Sequence, residues 1–401
     1  MPDSVQTADL FDGMTMMPIG ETYPDIREAV RKLCEQYPGA YWQEKDRERA
    51  YPTEFVQALT EAGYLAVLIP EEYGGSGLPI SAGSAILEEI NGAGCNAGAC
   101  HAQMYIMGTV LRHGSEEQKK QYLPKIATGE LRLQAFGVTE PTSGTDTLSL
   151  RTTAVRDGDE YVVNGQKVWT SRAEHSDLML LLARTTPQDQ IAKRTDGLSV
   201  FLVDMRKVLG NGLTIRPIRA MINHNTTELF FDNMRIPADA LIGEEGKGFR
   251  YLLHGINPER ILIAAGLVGL GRVALQKATD YAREREVFDR PIGMNQGIQH
   301  PLAVSWAELE AANLMAFRAA QLYDRGEDAG AMANAAKYLA GEAAFKACTT
   351  AVTTHGGMGY AKEYHVERYF RECIIHRLAP ITPHLALCYI AERVLGLPKS
   401  Y

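Results

Sequence analysis

Cysteine, charge of one sign and long apolar runs are all scarce in these 401 residues. The six cysteines (Cys34, Cys95, Cys100, Cys348, Cys373 and Cys388) are scattered with no CxxC pair, which excludes a disulfide scaffold and the ligand spacing of a zinc site. Reduced thiols are expected, and with them a cytoplasmic location. The 41 basic residues are outnumbered by 49 acidic ones, a net charge of −8, so no general nucleic-acid face is expected. The opening segment MPDSVQTADLFDGMTMMPIG has only Asp3, Asp9 and Asp12 as charges; it has neither the apolar core of a secretory signal nor the arginines of a transit peptide. The longest apolar stretch, 261–270, is broken by Gly266 and Gly269 and covers about half a membrane span, so membrane insertion is not expected. P-loop, HExxH, GxSxG and metal-spaced His/Cys patterns are missing as well, and no bound metal is expected.

What is present falls into three stretches. In the first, Phe55, Leu59, Ala62 and Tyr64, and again Met104, Met107 and Leu111, recur at helical spacing. Ser115 is placed to cap the helix that carries Gln118, and a break follows near Gly129. The second stretch has short runs rich in Val, Thr, Leu and Phe at 131–138, 152–155, 161–163, 178–183, 198–203, 213–218 and 227–231, which read as strands. Asp157-Gly158-Asp159 and Asn164-Gly165 predict tight hairpin turns and so antiparallel neighbours. In the third, helices are predicted over 258–285, 302–323, 331–355 and 385–395. The second of these puts Trp306, Leu309, Asn313 or Leu314, Phe317 and Leu322 along one broad stripe, as a bundle requires. The fold class expected is α+β, mainly α: an N-terminal helical domain over 1–130, a middle antiparallel β domain over 131–243, and a C-terminal four-helix bundle over 244–401.

Three glycine-bearing segments could carry function. Gly266, Gly269 and Gly271 lie inside a helical pattern and do not follow a strand, which favours close helix packing over a dinucleotide fingerprint. HGGMG at 355–359 ends a helix, either as plain punctuation or as backbone that cradles a phosphate. AFGVTEPTSGTD at 135–146 runs from a strand into a polar turn expected to expose Thr139, Glu140, Ser143, Thr145 and Asp146 together. That turn is either an ordinary one or a place for a polar heterocycle or phosphates.

The last run resembles the signature of the acyl-CoA dehydrogenase family, and three other segments resemble family motifs in the same order: GQKVWTS at 165–171, REVF at 285–288 with Pro291, Ile292 and Gln296, and GGMG at 356–359 with VER at 366–368 and Arg371. The resemblance implies a three-part fold assembled as a homotetramer or homodimer, with FAD as cofactor. Phe136, Val138 and Thr139 would meet the isoalloxazine ring, Trp169 would pack on it and Ser171 would hydrogen-bond near its N5. Arg285, Phe288 and Gln296 would reach the diphosphate and adenine across a subunit boundary, Gly356 and Gly357 would pass close to the same end, and Thr382 would also touch the cofactor. Thr145 and Arg260 would contact an acyl-CoA substrate, and an electron-transfer flavoprotein would take the electrons.

The reaction so implied removes a proton from the carbon α to the thioester while a hydride leaves the β carbon for flavin N5, giving a trans-2-enoyl-CoA. Most relatives place the basic Glu in a YEGT segment after VER; here the same count reaches APIT at 379–382, with Pro380 where the Glu would stand. Proline also lacks the N–H that helps polarise the thioester carbonyl. NPER at 257–260, before an Ala-rich helical run, resembles the base segment of the isovaleryl-CoA and long-chain branches and makes Glu259 the candidate base. From the residues alone, Asn257 as N-cap, Pro258 at the first helical position and Glu259 in the first turn read equally as a helix start, where the dipole lowers a carboxylate's pKa. Two other readings are a fold-sharing flavoenzyme with changed chemistry (monooxygenase, oxidase or desulfinase) and a non-catalytic subunit of a heteromeric dehydrogenase.

Overall fold

The computed structural model describes residues 23–400; the opening segment read above for targeting signals lies outside the described residues. Helices α1 (Pro24–Cys34), α2 (Gly39–Glu48), α3 (Thr53–Glu61), α4 (Ile80–Gly92), α5 (Gly98–His113) and α6 (Glu116–Thr128) come first. Strands β1 (Leu133–Gly137), β2 (Thr153–Asp157), β3 (Glu160–Ser171), β4 (Leu178–Arg184) and β5 (Leu198–Asp204) follow, then the short helix α7 (Met205–Val208). After β6 (Leu213–Pro217), β7 (Thr226–Pro237) and β8 (Leu241–Ile242) comes the long helix α8 (Gly248–Glu284). A small hairpin of β9 (Glu286–Val287) and β10 (Arg290–Pro291) leads to α9 (Gln296–Asp324), α10 (Gly330–His355), α11 (Val366–Leu378) and α12 (Pro383–Tyr389). These elements form two compact units: one gathers the described residues up to Gln43, Ile80–Asn96 and everything from Arg260 onward, the other Glu44–Pro79 and Ala97–Glu259.

The second unit is built on one sheet in the order β6-β7-β3-β2-β4-β5-β8, with β1 also paired to β4. Asp157 faces Glu160 across the expected two-residue turn, with Gly158 at φ 65°. The other expected turn is absent: Asn164 and Gly165 lie inside β3, where the register against β7 slips between Val163 and Gly165. Gly165 is needed there because its φ is 147° and a Cβ would run into the Thr152 backbone. The turn dipeptide thus makes a bulge, since β7 is long enough to keep pairing past it. The sheet is not wholly antiparallel either: β1 runs parallel to β4, and β2 meets β4 at one parallel pair.

Strand β4 is buried along its whole length because both faces of the sheet are covered. Leu178, Leu180 and Leu182 join a core with Met107 and Val110 of α5 and Leu123 and Ile126 of α6. Met179, Leu181 and Ala183 join a second core with Tyr161, Phe201, Leu229 and Met234. Two-sided burial accounts for the continuous apolar run of this strand. Ser115 caps α6 as expected: its hydroxyl accepts from Gln118 N at 3.2 Å, and the Gln118 side chain accepts from Ser115 N at 3.0 Å.

In the first unit the Ala-rich α10, with Ala333, Ala336, Ala340, Ala344 and Ala347 buried, packs against α9, α11 and α12. On α9, Leu309, Asn313 and Phe317 face inward and Leu314 is exposed. The glycines of α8 serve packing: a Cβ on Gly269 would collide with Glu88 O and Gly92 N of α4, and one on Gly271 with Leu309. Helix α4 is held in this unit by a buried ionic chain in which Glu88 bridges Arg27 and Arg272, and Arg272 also pairs with Glu310. Helix α11 and the β9–β10 hairpin have no counterpart among the predicted elements. The predicted helix start at Asn257 is also wrong: α8 begins at Gly248 and carries Pro258 in its interior. By length and composition α8 would cross a membrane, but it is mostly buried inside the protein.

Candidate active site

In the sheet unit the 135–146 segment folds differently from the open polar turn expected. Glu140 and Ser143 are buried and exchange backbone hydrogen bonds at 3.0 and 3.1 Å, so of the five polar side chains expected in the open Thr139 is half-buried, Thr145 and Asp146 are exposed, and Asp146 pairs with Arg194. The Glu140 carboxylate accepts from Arg151 N at 2.6 Å, Thr152 N at 2.9 Å and the Lys167 ammonium at 2.8 Å. Lys167 also donates to Val138 O at 2.9 Å, and Val168 N donates to Thr139 O at 2.9 Å. This buried anchor brings the end of β1 (Phe136, Val138, Thr139) beside the bulged end of β3 (Trp169, Thr170, Ser171). Burial would raise the Glu140 pKa, yet Lys167 and the two N–H donors hold it below the usual carboxylate range. Burial pushes Lys167 down to about 8 against the pull of Glu140.

The surface this anchor presents has the chemistry a planar, partly polar ring needs. Trp169, at φ 64° in the β3 register shift, leaves its indole 59% exposed where a strand residue would normally pack. The Thr170 hydroxyl is buried and unpartnered. Phe136, Val138, Thr139 and Ser171 are half-buried. Phe136 backs onto Tyr105 of α5, ring centroids 6.1 Å apart.

Glu259 belongs to the same unit and is 8% exposed. Because α8 starts eleven residues earlier, the carboxylate is well inside the helix and the helix-terminus dipole does not act on it. Burial, then the nearby Glu259 carboxylate, raise the Tyr105 phenol well above its ordinary pKa, while Arg172 pulls it down. Tyr105 therefore sits within electrostatic reach of both charges. Tyr105, Lys167 and Arg172 were not picked out from the sequence. Lys167 lies inside the GQKVWTS motif and Arg172 directly follows it, so position in the motif was the available signal; Tyr105 is one aromatic on an apolar helix and offered none.

In the other unit, Tyr281 near the end of α8 stacks on His355 at the end of α10, centroids 4.3 Å apart. Arg285 follows Tyr281 by four residues, and Gly356 and Gly357 directly follow His355. Arg285, Gly356 and Gly357 are exposed, and a Cβ on either glycine would meet nothing within 4 Å, which leaves open space over the backbone amides, a fit for phosphate. Phe288, at φ 56° on the β9–β10 hairpin, is 94% exposed, and Gln296 is exposed at the start of α9. Thr382 is engaged as the N-cap of α12, accepting from Leu385 N at 3.3 Å. Pro380 stands next to it, and the buried Lys337 ammonium holds the segment through Arg377 O at 2.6 Å and Ile381 O at 2.7 Å. Arg260 is half-buried on α8.

Comparison with known proteins bears on the whole chain. Family models for the N-terminal, middle and C-terminal domains of acyl-CoA dehydrogenases match residues 20–130, 135–234 and 246–382. The acyl-CoA dehydrogenase fadE12 of Mycobacterium bovis is 38% identical over 94% of this chain and 96% of its own length. A glutaryl-coenzyme A dehydrogenase solved with glutaryl-CoA superposes with a TM-score of 0.87 at 32% identity, covering 95% of this chain and 97% of that one. The FAD complex of PigA superposes with a TM-score of 0.86 at 26% identity, covering 94% and 98%.

Proposed function

Because the chain belongs to the acyl-CoA dehydrogenase family, we propose that it is an FAD-dependent enzyme that converts a saturated, branched or longer-chain acyl-CoA to its trans-2-enoyl-CoA, with Glu259 as the general base. The observation that carries this reading is the buried Glu259 carboxylate inside α8, within electrostatic reach of Tyr105, whose ring backs Phe136. FAD, once bound, supplies the two-electron acceptance that lets the β carbon give up its hydrogen as hydride. Its ring is assigned to Phe136, Val138, Thr139, Trp169 and Ser171, and its diphosphate and adenine end to Arg285, Phe288, Gln296, Gly356 and Gly357. Thr382 serves through its backbone, its hydroxyl being committed to α12.

Glu259 takes the α proton, and its burial keeps bulk water from competing for the carboxylate. Pro380 brings neither carboxylate nor N–H, so the thioester oxygen depends on other donors while charge develops at the α carbon. Arg260 and Thr145 are assigned to the CoA side of the substrate. An electron-transfer flavoprotein as acceptor, a homotetrameric or homodimeric assembly and a cytoplasmic setting without membrane insertion complete the proposal.

The test is anaerobic mixing of the purified yellow protein with a panel of straight and branched acyl-CoAs, following the flavin's blue band. Wild type should bleach with one class, and Glu259→Gln should keep its flavin while bleaching about 10²- to 10⁴-fold more slowly. Full-speed bleaching by the variant would assign the base elsewhere. Pro380 also supports a second reading, changed chemistry on the same fold; hydrogen peroxide or a hydroxylated product formed at the rate of reduced-flavin reoxidation in air would favour it.

A further inference from the structure

Arg172 is a buried cation without a carboxylate partner among the described residues. The residue is 6% exposed, and no carboxylate among the described residues pairs with its guanidinium. Its side chain makes one long contact, Nη2 to His224 Nδ1 at 3.5 Å. Tyr51, whose hydroxyl donates to Gln134 Oε1 at 2.7 Å, Tyr105 and His175 lie within its electrostatic reach; burial raises the pKa of the two phenols, and burial, then Arg172, lower that of His175, so none of the three supplies a negative charge. A guanidinium does not escape by losing its proton, and burying one without a counter-charge is costly enough that such groups are normally paired. The backbone places it firmly all the same. Arg172 has φ 59°, a conformation a non-glycine residue adopts only when held, and its N–H donates to Asn225 O at 2.7 Å.

The placement ties this cation to the reacting centre. Arg172 follows Ser171 directly, and Tyr105 feels both its charge and that of Glu259. We infer that Arg172 receives a carboxylate at the far end of the acyl chain, so that the substrate is the CoA thioester of a dicarboxylic acid. This rests on the dehydrogenase reading above. The CoA nucleotide is too large and too polar for so enclosed a position, which leaves the acyl end as the part of the substrate that reaches it. The flat five-donor fork of arginine suits a carboxylate in two-point contact, and a terminal methyl there would leave the charge unpaired.

The experiment compares glutaryl-CoA and adipyl-CoA with pentanoyl-CoA and hexanoyl-CoA as anaerobic reductants of the holoenzyme, in wild type, Arg172→Met and Arg172→Lys, with the flavin-to-protein ratio measured for each. Calorimetric binding of adipyl-CoA and hexanoyl-CoA to Glu259→Gln, with and without Arg172→Met, gives a readout free of turnover. Wild type should prefer the dicarboxylic series, and Arg172→Met should lower that preference, in kcat/KM and in binding alike, by about ten- to a hundred-fold. Arg172→Lys should retain part of it. Bleaching by the uncharged series alone, or only by the branched and longer acyl-CoAs of the panel above, would overturn the inference and leave the dehydrogenase intact, whereas bleaching by no acyl-CoA at all would remove the proposed function and this inference with it. Equal losses on both series, or loss of flavin from Arg172→Met, would assign the arginine to the cofactor or to the fold. If the Met variant does not fold, the preference ratio of the Lys variant decides: a ratio equal to wild type overturns the assignment.

Discussion

Lys167 has no exposed side-chain surface and spends its charge on Glu140 and the Val138 carbonyl. Removing one partner of such a pair leaves the other buried and uncompensated, so Lys167→Met should cost about 3–5 kcal/mol in urea unfolding. It should also weaken flavin retention, because the ammonium holds the β1 end that faces Trp169. A loss under about 1 kcal/mol, the range of exposed pairs, would mean the pair does not anchor that corner. At this scale a surrounding motif singled out Trp169 and Ser171, whereas polarity misled at Glu140 and Ser143, where it suggested exposure and both are buried. Polar side chains look alike in sequence whether they meet water or a buried partner. Arg172 is a third case, a buried charge whose one side-chain contact among the described residues is the long one to His224.

Among the elements, α6 and α8 test opposite uses of local sequence. The α6 cap is local chemistry, and Ser115→Ala should lower stability by about 1 kcal/mol, measured by thermal unfolding. An unchanged melting point would mean the first turn is held by tertiary contacts alone. Gly269 of α8 serves a neighbour distant in sequence. Gly269→Val should force α4 and α8 apart and cost at least the 1–3 kcal/mol typical of overpacking; wild-type stability would show that the helices have room to spare. The same distinction explains the two turn dipeptides: Gly158 closes a hairpin because β2 and β3 end there, whereas Gly165 bulges because β7 continues alongside. It also explains Asn257-Pro258-Glu259, a good helix start by composition that lies in mid-helix because the preceding turns of α8 are held by packing. The consequence is chemical, since a carboxylate away from the helix terminus is not acidified by the dipole.

For the whole molecule, stability in mild acid should be set partly by histidines buried neutral. Burial, then His254, lower the His113 pKa to about 4, and its Nε2 lies 3.0 Å from His254 Nδ1. Burial likewise takes His365 to about 4. These folded-state values lie below the ordinary 6.5. As pH falls through 6.5 the unfolded chain binds protons that the folded chain refuses, and stability declines until about pH 4, where both forms are protonated. His113→Asn should therefore show a shallower fall in melting temperature across that window than wild type; parallel curves would mean His113 titrates normally. Sequence by itself determined the order helices, strands, helices, the strand positions, the cap of α6 and the motifs at Phe136, Trp169, Arg285 and Gly356, because each depends on near neighbours in the chain. Only the tertiary structure decided that α4 shares a unit with the part of α8 from Arg260 onward and with α9 through α12, that Glu259 lies buried inside a helix within electrostatic reach of Tyr105, and that Arg172 is buried without a carboxylate partner among the described residues. Those facts depend on which distant segments come into contact, and on how much water they exclude when they do.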